Sequence, residues 1–127
     1  MKEYCPFCEI PGERIIYESS SVYAMWDKFP LSPAHALLVP KRHVTTWFDA
    51  TQEEKQSLVA SIDRLKVLIE KEYTPNGYNI GINSGEAAGQ TVPHLHVHVI
   101  PRYTGDVEDP RGGVRWAIPG KARYWDE

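Results

Sequence analysis

His94-Leu95-His96-Val97-His98-Val99-Ile100 alternates imidazole with aliphatic side chains, and a repeat of two is the repeat of a β-strand. In an extended chain the three rings leave one face, and Leu95, Val97 and Val99 enter the core on the other. Successive rings then stand about 6.6 to 6.8 Å apart. Pro93 and Pro101 bracket the run. Both suit the ends of a strand better than its interior, because proline lacks the N–H a ladder needs. The pattern predicts a rigid strand over residues 94–100 that mounts its histidines in a row.

Immediately upstream, Gly85-Glu86-Ala87-Ala88-Gly89-Gln90-Thr91 is a glycine-bearing loop able to offer backbone N–H groups to an anion. Three histidines on one sheet face could by themselves form a solvated surface or a zinc site. A loop of this kind beside them favours chemistry on an anionic substrate. The aliphatic residues between the rings exclude a polyhistidine tag.

Further upstream, residues 51–73 place Leu58, Val59, Ile62, Leu65, Leu68, Ile69 and Tyr73 at spacings of three and four, the mark of a long helix with one apolar face. Thr51 and Glu54 form a capping box at its start, and Pro75 with Asn76-Gly77 stops it. Short apolar segments rich in β-branched or aromatic residues surround it, over residues 14–17, 22–26, 36–39 and 78–82. Lys28-Phe29-Pro30-Leu31-Ser32-Pro33 joins two of them as a hairpin-like pair, and a shorter helical turn is expected near Pro6 to Pro11. Strands, one long helix and then strands predict an α+β fold with an antiparallel sheet of about five strands.

The chain has 127 residues, 42% of them hydrophobic, which predicts one domain with one modest core. Its net charge of −3 offers no general attraction for a nucleic-acid backbone, so no nucleic-acid partner is expected. No apolar run approaches the length of a membrane span, and Met1-Lys2-Glu3-Tyr4-Cys5 lacks the apolar stretch of a signal peptide. A cytoplasmic protein with no membrane partner is the expectation. Cys5-Pro6-Phe7-Cys8 contains both cysteines, too few for a disulfide framework. The pair could bind zinc, act in redox chemistry, or pack as two small apolar side chains. A thioredoxin-like role is weak, because that motif sits between a strand and a helix and this one precedes both.

The stretch Asn83 to Arg102, above all Gly89-Gln90-Thr91-Val92-Pro93-His94-Leu95-His96-Val97-His98-Val99-Ile100-Pro101-Arg102, closely resembles the histidine-triad (HIT) family, whose signature alternates three histidines with apolar residues. The likeness runs upstream through Asp27, Pro33-Ala34-His35, Leu37-Leu38-Val39-Pro40-Lys41-Arg42-His43 and the helix, over residues 4–103. It implies a HIT-like fold with one long and one short helix, paired across a homodimer, and a C-terminal tail over 104–127.

The resemblance also implies roles. His96 would be the nucleophile toward the α-phosphate of a purine nucleotide conjugate, forming a nucleotidyl-histidine that water or another acceptor cleaves. A neutral imidazole nitrogen attacks phosphorus without prior activation, which suits that role. His98 would contact the transferring phosphate, and His35 would help fix the nucleophile's ring. Asn83, Gly89, Gln90 and Thr91 would contact phosphate or leaving group, with Thr91 close to the chemistry. Asp27 would hold the ribose hydroxyls, the lesser alternative being a turn-forming residue before Lys28. Cys5, Cys8, His43 and His94 would hold a structural zinc, as in zinc-bearing members of the family.

Histidine at position 98 favours hydrolysis over sugar-1-phosphate uridylyl transfer, since that branch carries glutamine there. The implied substrate is a dinucleoside polyphosphate or a nucleoside phosphoramidate. Phosphorolytic transfer and a regulatory nucleotide-binding role are the alternatives. DNA-end repair, known in another branch, is disfavoured by the negative charge and the lack of a basic extension. In the tail, Arg111, Arg115 and Trp116 are expected to tune substrate choice.

Overall fold

The computed structural model describes residues 4–126. In chain order its strands are β1 (Ile15–Glu18), β2 (Val22–Trp26), β3 (Ala36–Pro40), β4 (Gly77–Ile82) and β5 (Val97–Arg102), with one helix, α1 (Gln52–Ile69), between β3 and β4. They form one antiparallel five-stranded sheet in the order β1-β2-β3-β5-β4. The last strand in sequence thus lies between two earlier ones, and β4 is an edge.

The histidine run enters this sheet later than its alternation predicts. The ladder begins at Val97, and Pro101 lies within it opposite Tyr78. The first half of the run is fastened by the loop after β3 instead: Leu95 N–H donates to Val44 O at 2.7 Å, and the His94 ring reaches Pro40 O at 2.9 Å. Pro101 is tolerated because β3 pairs with β5 only over Val97 to Val99. Beyond that, the Pro101 carbonyl takes a hydrogen bond from Ser32 Oγ at 2.6 Å, and no β3 partner asks for an N–H.

The alternation itself holds through both halves. Leu95, Val97 and Val99 are buried with Ala24, Leu38, Leu58, Leu65 and Ile69 in the core between sheet and helix. Full burial of each large aliphatic side chain stabilises the fold by about 1.5 to 3 kcal/mol. The opposite face packs Phe7, Met25, Leu37 and Val39.

Helix α1 starts at the expected capping box, with Thr51 and Glu54 bonded reciprocally at 3.1 and 2.8 Å. It ends at Ile69, earlier than Pro75 predicts, because the amides of Glu72 and Tyr73 both turn back onto Ile69 O. Val59 is 58% exposed and leaves the apolar face, where Ser61 is buried; it lies about 100° around the helix from Leu58. Residues 6–8 form a turn and Gly12–Arg14 a single 3-10 turn. The β2–β3 pair is the expected hairpin, in register from Val22↔Pro40 to Trp26↔Ala36.

Candidate active site and metal centre

One hydrogen bond defines the state of the central ring. His96 is 7% exposed, and its Nδ1 lies 2.9 Å from the carbonyl of His94. A carbonyl can only accept, so in the neutral ring Nδ1 carries the proton and the lone pair is on Nε2. Edge contacts hold the ring on both sides, from Phe7 at 5.0 Å and from His98 at 5.1 Å between centroids. Phe7 escaped the sequence reading. Its signal was its place between the two cysteines, which carries it over the histidine face.

His98 points the other way along the row. Its Nδ1 lies 3.0 Å from His35 Nε2 and 4.0 Å from Asp27 Oδ2. Burial is the largest cause pushing its pKa down to about 4, with His96 and His35 adding to it and Asp27 opposing. His35 is 2% exposed and is also lowered, chiefly by burial, against the pull of Asp27. The hydrogen bond of His35 is thus to His98, while the His96 ring is bonded to a backbone carbonyl. Asp27 Oδ1 accepts from Phe29 N–H at 2.8 Å, the turn role, while Oδ2 lies 3.3 Å from His35 Nε2.

His35 is set in place by a turn in which Ala34 takes φ of 71°. A left-handed alanine costs about 1 kcal/mol or more, strain of the kind found where a functional side chain must be aimed.

The glycine-bearing loop is closed on itself. Gly85 and Gly89 adopt φ of 98° and 93°, conformations that favour glycine. Gln90 pins the loop: its Oε1 accepts from Gly85 N–H, and its Nε2 donates to Thr45 O and Val92 O. The amides of Ala88, Gly89 and Gln90 also bond within the loop. Asn83 and Thr91 are exposed on either side of it.

At the other end of the row, Cys5, Cys8, His43 and His94 bring one ligand atom each within 4.8 Å of one another. Cys5 Sγ and Cys8 Sγ lie 3.4 and 3.5 Å from His94 Nδ1, and Cys8 Sγ lies 3.2 Å from His43 Nδ1. A tetrahedral zinc bound to sulfur and nitrogen sets such edges at about 3.5 Å. The tautomer agrees as well: Pro40 O takes the proton of His94 Nε2, leaving Nδ1 free of hydrogen toward the thiols. The donor set therefore fits zinc. His43 is aimed by its neighbour Arg42, whose guanidinium grips both oxygens of the cap residue Glu54 at 3.0 and 2.8 Å. Held mainly by that arginine, the Glu54 carboxyl is lowered to about 2.

The tail forms short 3-10 turns at Gly113–Ala117 and Pro119–Lys121 and is built on its own bonds. Arg115 donates to Ala122 O and Lys121 O, Trp116 Nε1 donates to Arg111 O, and Arg111 pairs with Asp109 while lying over the Trp125 ring. Among the described residues none of these three reaches the histidine row through such a bond.

Among the described residues no helix is long and apolar enough to cross a membrane. Several known proteins are similar to this chain in sequence or fold. A HIT domain family model matches residues 9–105. The bis(5′-nucleosyl)-tetraphosphatase [asymmetrical] of Schizosaccharomyces pombe is 38% identical over 104 residues, covering 81% of this chain and 57% of that protein. The AP-4-A phosphorylase of Mycobacterium tuberculosis is 36% identical over 107 residues, covering 80% and 55%. The chain thus spans little more than half the length of these two curated relatives. Among solved structures, a HIT family protein from Bacillus anthracis superposes with a TM-score of 0.76 at 34% identity, covering 84% of this chain and 78% of that one. A zinc-bound histidine triad family protein from Mycobacterium smegmatis gives 0.74 at 33%, covering 83% and 79%. With the histidine run leading into β5, the glycine-bearing loop before it and the four-ligand cluster at its start, and with a family model matched across most of its length, this chain belongs to the histidine-triad (HIT) family.

Proposed function

We propose that the protein cleaves a purine nucleotide conjugate at its α-phosphate through a covalent nucleotidyl-His96. The observation that carries this reading is the bond from His96 Nδ1 to the His94 carbonyl, which places the free lone pair on Nε2. Attack by that nitrogen forms the N–P bond while the P–O bond to the leaving group breaks. A second acceptor then reverses the linkage, so configuration at phosphorus is retained after two inversions. Asn83, Gly89 and Thr91 contact the phosphate chain, and Asp27 Oδ2 is within reach of the ribose diol.

Relatives named as a tetraphosphatase and a phosphorylase of such dinucleotides support a dinucleoside polyphosphate as the substrate. They also support two acceptors, water and inorganic phosphate. Turnover of diadenosine polyphosphate with and without phosphate separates hydrolysis from phosphorolysis, and His96→Ala should abolish both. If the alanine variant is as fast as wild type, the covalent route is wrong. If neither protein turns over a nucleotide that both bind, the regulatory role replaces the enzyme.

Cys5, Cys8, His43 and His94 would hold zinc. When bound, zinc supplies no reacting group here; it clamps the N-terminal segment and the Lys41–His43 turn onto the first half of the histidine run. Reduced thiols as ligands suit a cytoplasmic setting. We also infer a twofold homodimer through β4, an edge strand on which Ile80 and Ile82 are 45% and 37% exposed.

A further inference from the structure

The two cysteines close one tight turn, and the side chain that this turn carries to the histidine face is that of Phe7. Cys8 N–H donates to Cys5 O at 3.1 Å, with Pro6 and Phe7 as the central residues. Proline at the first of these positions fixes its own φ for such a turn. The backbone bond is internal to the turn, so its place on the sheet depends on side chains. At its ends the thiols of Cys5 and Cys8 lie 3.4 and 3.5 Å from His94 Nδ1, and that of Cys8 lies 3.2 Å from His43 Nδ1. Between them Phe7, 8% exposed, packs with Met25, Leu37 and Val39.

Phe7 meets the histidine row twice. Its ring lies 6.0 Å from that of His94 and 5.0 Å from that of His96, at 79° and 68°. The bond from His96 Nδ1 to the His94 carbonyl holds one corner of the ring and leaves its plane free to swing about that corner. Two neighbours bound the swing, His98 at 5.1 Å and Phe7. His98 is built into β5 and stays with the sheet; Phe7 comes from the cysteine turn and moves with it. The His94 carbonyl, by contrast, has supports that need no metal. The amides of His94 and Leu95 donate to Val92 O and Val44 O at 2.8 and 2.7 Å, and the His94 ring is bonded to Pro40 O.

We propose that Phe7 is a positioning residue for His96, and that a metal held by Cys5 and Cys8 acts on the nucleophile through it. This rests on His96 being the nucleophile. With both thiols and His94 as ligands of one ion, the ends of the turn are fixed against the histidine run. The Phe7 ring between them then confines the His96 plane, and with it the direction of the Nε2 lone pair. Without the ion the turn keeps its internal bond and its apolar packing, and the His96 plane gains freedom. A misplacement of about 1 Å at a reacting atom costs about 100-fold in rate, so a ring that acts on His96 alone can set the speed of the first step.

The test pairs proton NMR with kinetics on the full chain, loaded with zinc or stripped of it by a chelator. In the loaded protein a nuclear Overhauser contact should join the Phe7 and His96 rings, and chelation should remove it. Phe7→Leu should keep its zinc, displace the His96 ring resonances, and lower kcat for diadenosine tetraphosphate about 10- to 100-fold with KM changed less than about threefold. Phe7→Tyr, which keeps the ring, should keep most of the rate. Chelation should slow wild type by a similar factor and cost Phe7→Leu little more, because two changes that act through one contact do not add. Unchanged kcat and resonances in Phe7→Leu, a loss confined to KM, loss of its zinc, or equal slowing of both proteins by chelation would each overturn the inference while the nucleophile stands. If His96→Ala reacts as fast as wild type, the nucleophile reading falls; the dependence of the ring contact on zinc is read from the spectrum alone, and its survival after chelation overturns that part independently.

Discussion

His94 and His98 are each two residues from His96, on the same run and with the same ring, yet their surroundings give them opposite tasks. His94 is fully buried, with Nε2 on the Pro40 carbonyl and Nδ1 toward two thiols. His98 lies at the mouth of the row, about a quarter exposed, with Nδ1 on His35. In both rings a fixed oxygen or nitrogen partner selects the tautomer. In the proposed reading one ring would offer a lone pair to a metal and the other would face the substrate. The His96 ring between them takes its own tautomer from the backbone of the first.

Separate damage to each side should break the comparison apart. The largest effect is expected on the His94 side. Cys8→Ala should take bound zinc well below one per chain by elemental analysis and cost about 2 to 4 kcal/mol, or about 7 to 15 °C in Tm. A zinc content and Tm equal to wild type would leave the cluster without a structural task.

The His98 side should respond in rate instead. His35→Ala should lower kcat by about 10- to 100-fold with KM little changed and zinc content intact. Loss of zinc in this variant would show that the two ends are not separable.

Acid should also act through His98. Its folded pKa of about 4 lies below the ordinary 6.5, so the unfolded chain binds the proton more readily. The stability this group contributes is complete above pH 6.5 and declines as pH falls toward 4. The loss is on the order of 3 kcal/mol. Denaturant melts between pH 4 and 8 should show part of that decline removed in His98→Gln; identical slopes would contradict it.

The smallest effect sharpens the geometry behind His35. Ala34→Gly should leave stability within about 0.5 kcal/mol, relief of strain offsetting lost chain stiffness, whereas Ala34→Val should lose about 1 to 2 kcal/mol. Equal melting of both variants would mean the turn is not strained as its φ implies.

Much of this was legible from pattern alone. β2 runs over the residues its β-branched and aromatic content marked, and α1 starts on its capping box, because these depend on neighbours one to four residues away. The grouping of Cys5, Cys8, His43 and His94 was legible through resemblance. What escaped depends on distant partners. The strand boundary at Val97 follows from Val44 and Pro40 capturing Leu95 and His94, and no local signal announces that. The pairing of His35 with His98 spans 63 residues. The Gln90 side chain could have served phosphate or loop, and the Thr45 carbonyl decides for the loop. The tail has no period because arginine and aromatic contacts organise it in place of a buried face.

The proposed chemistry turns on a bond between one imidazole nitrogen and phosphorus. Rapid quenching of the protein with a slow adenylated substrate analogue under mildly alkaline conditions, followed by peptide mapping, should find one acid-labile adenylyl group per chain on the peptide carrying His96, and none in His96→Ala. An adduct mapped to His35, His98 or Thr91, or turnover with inversion at phosphorus and no adduct at all, would contradict it.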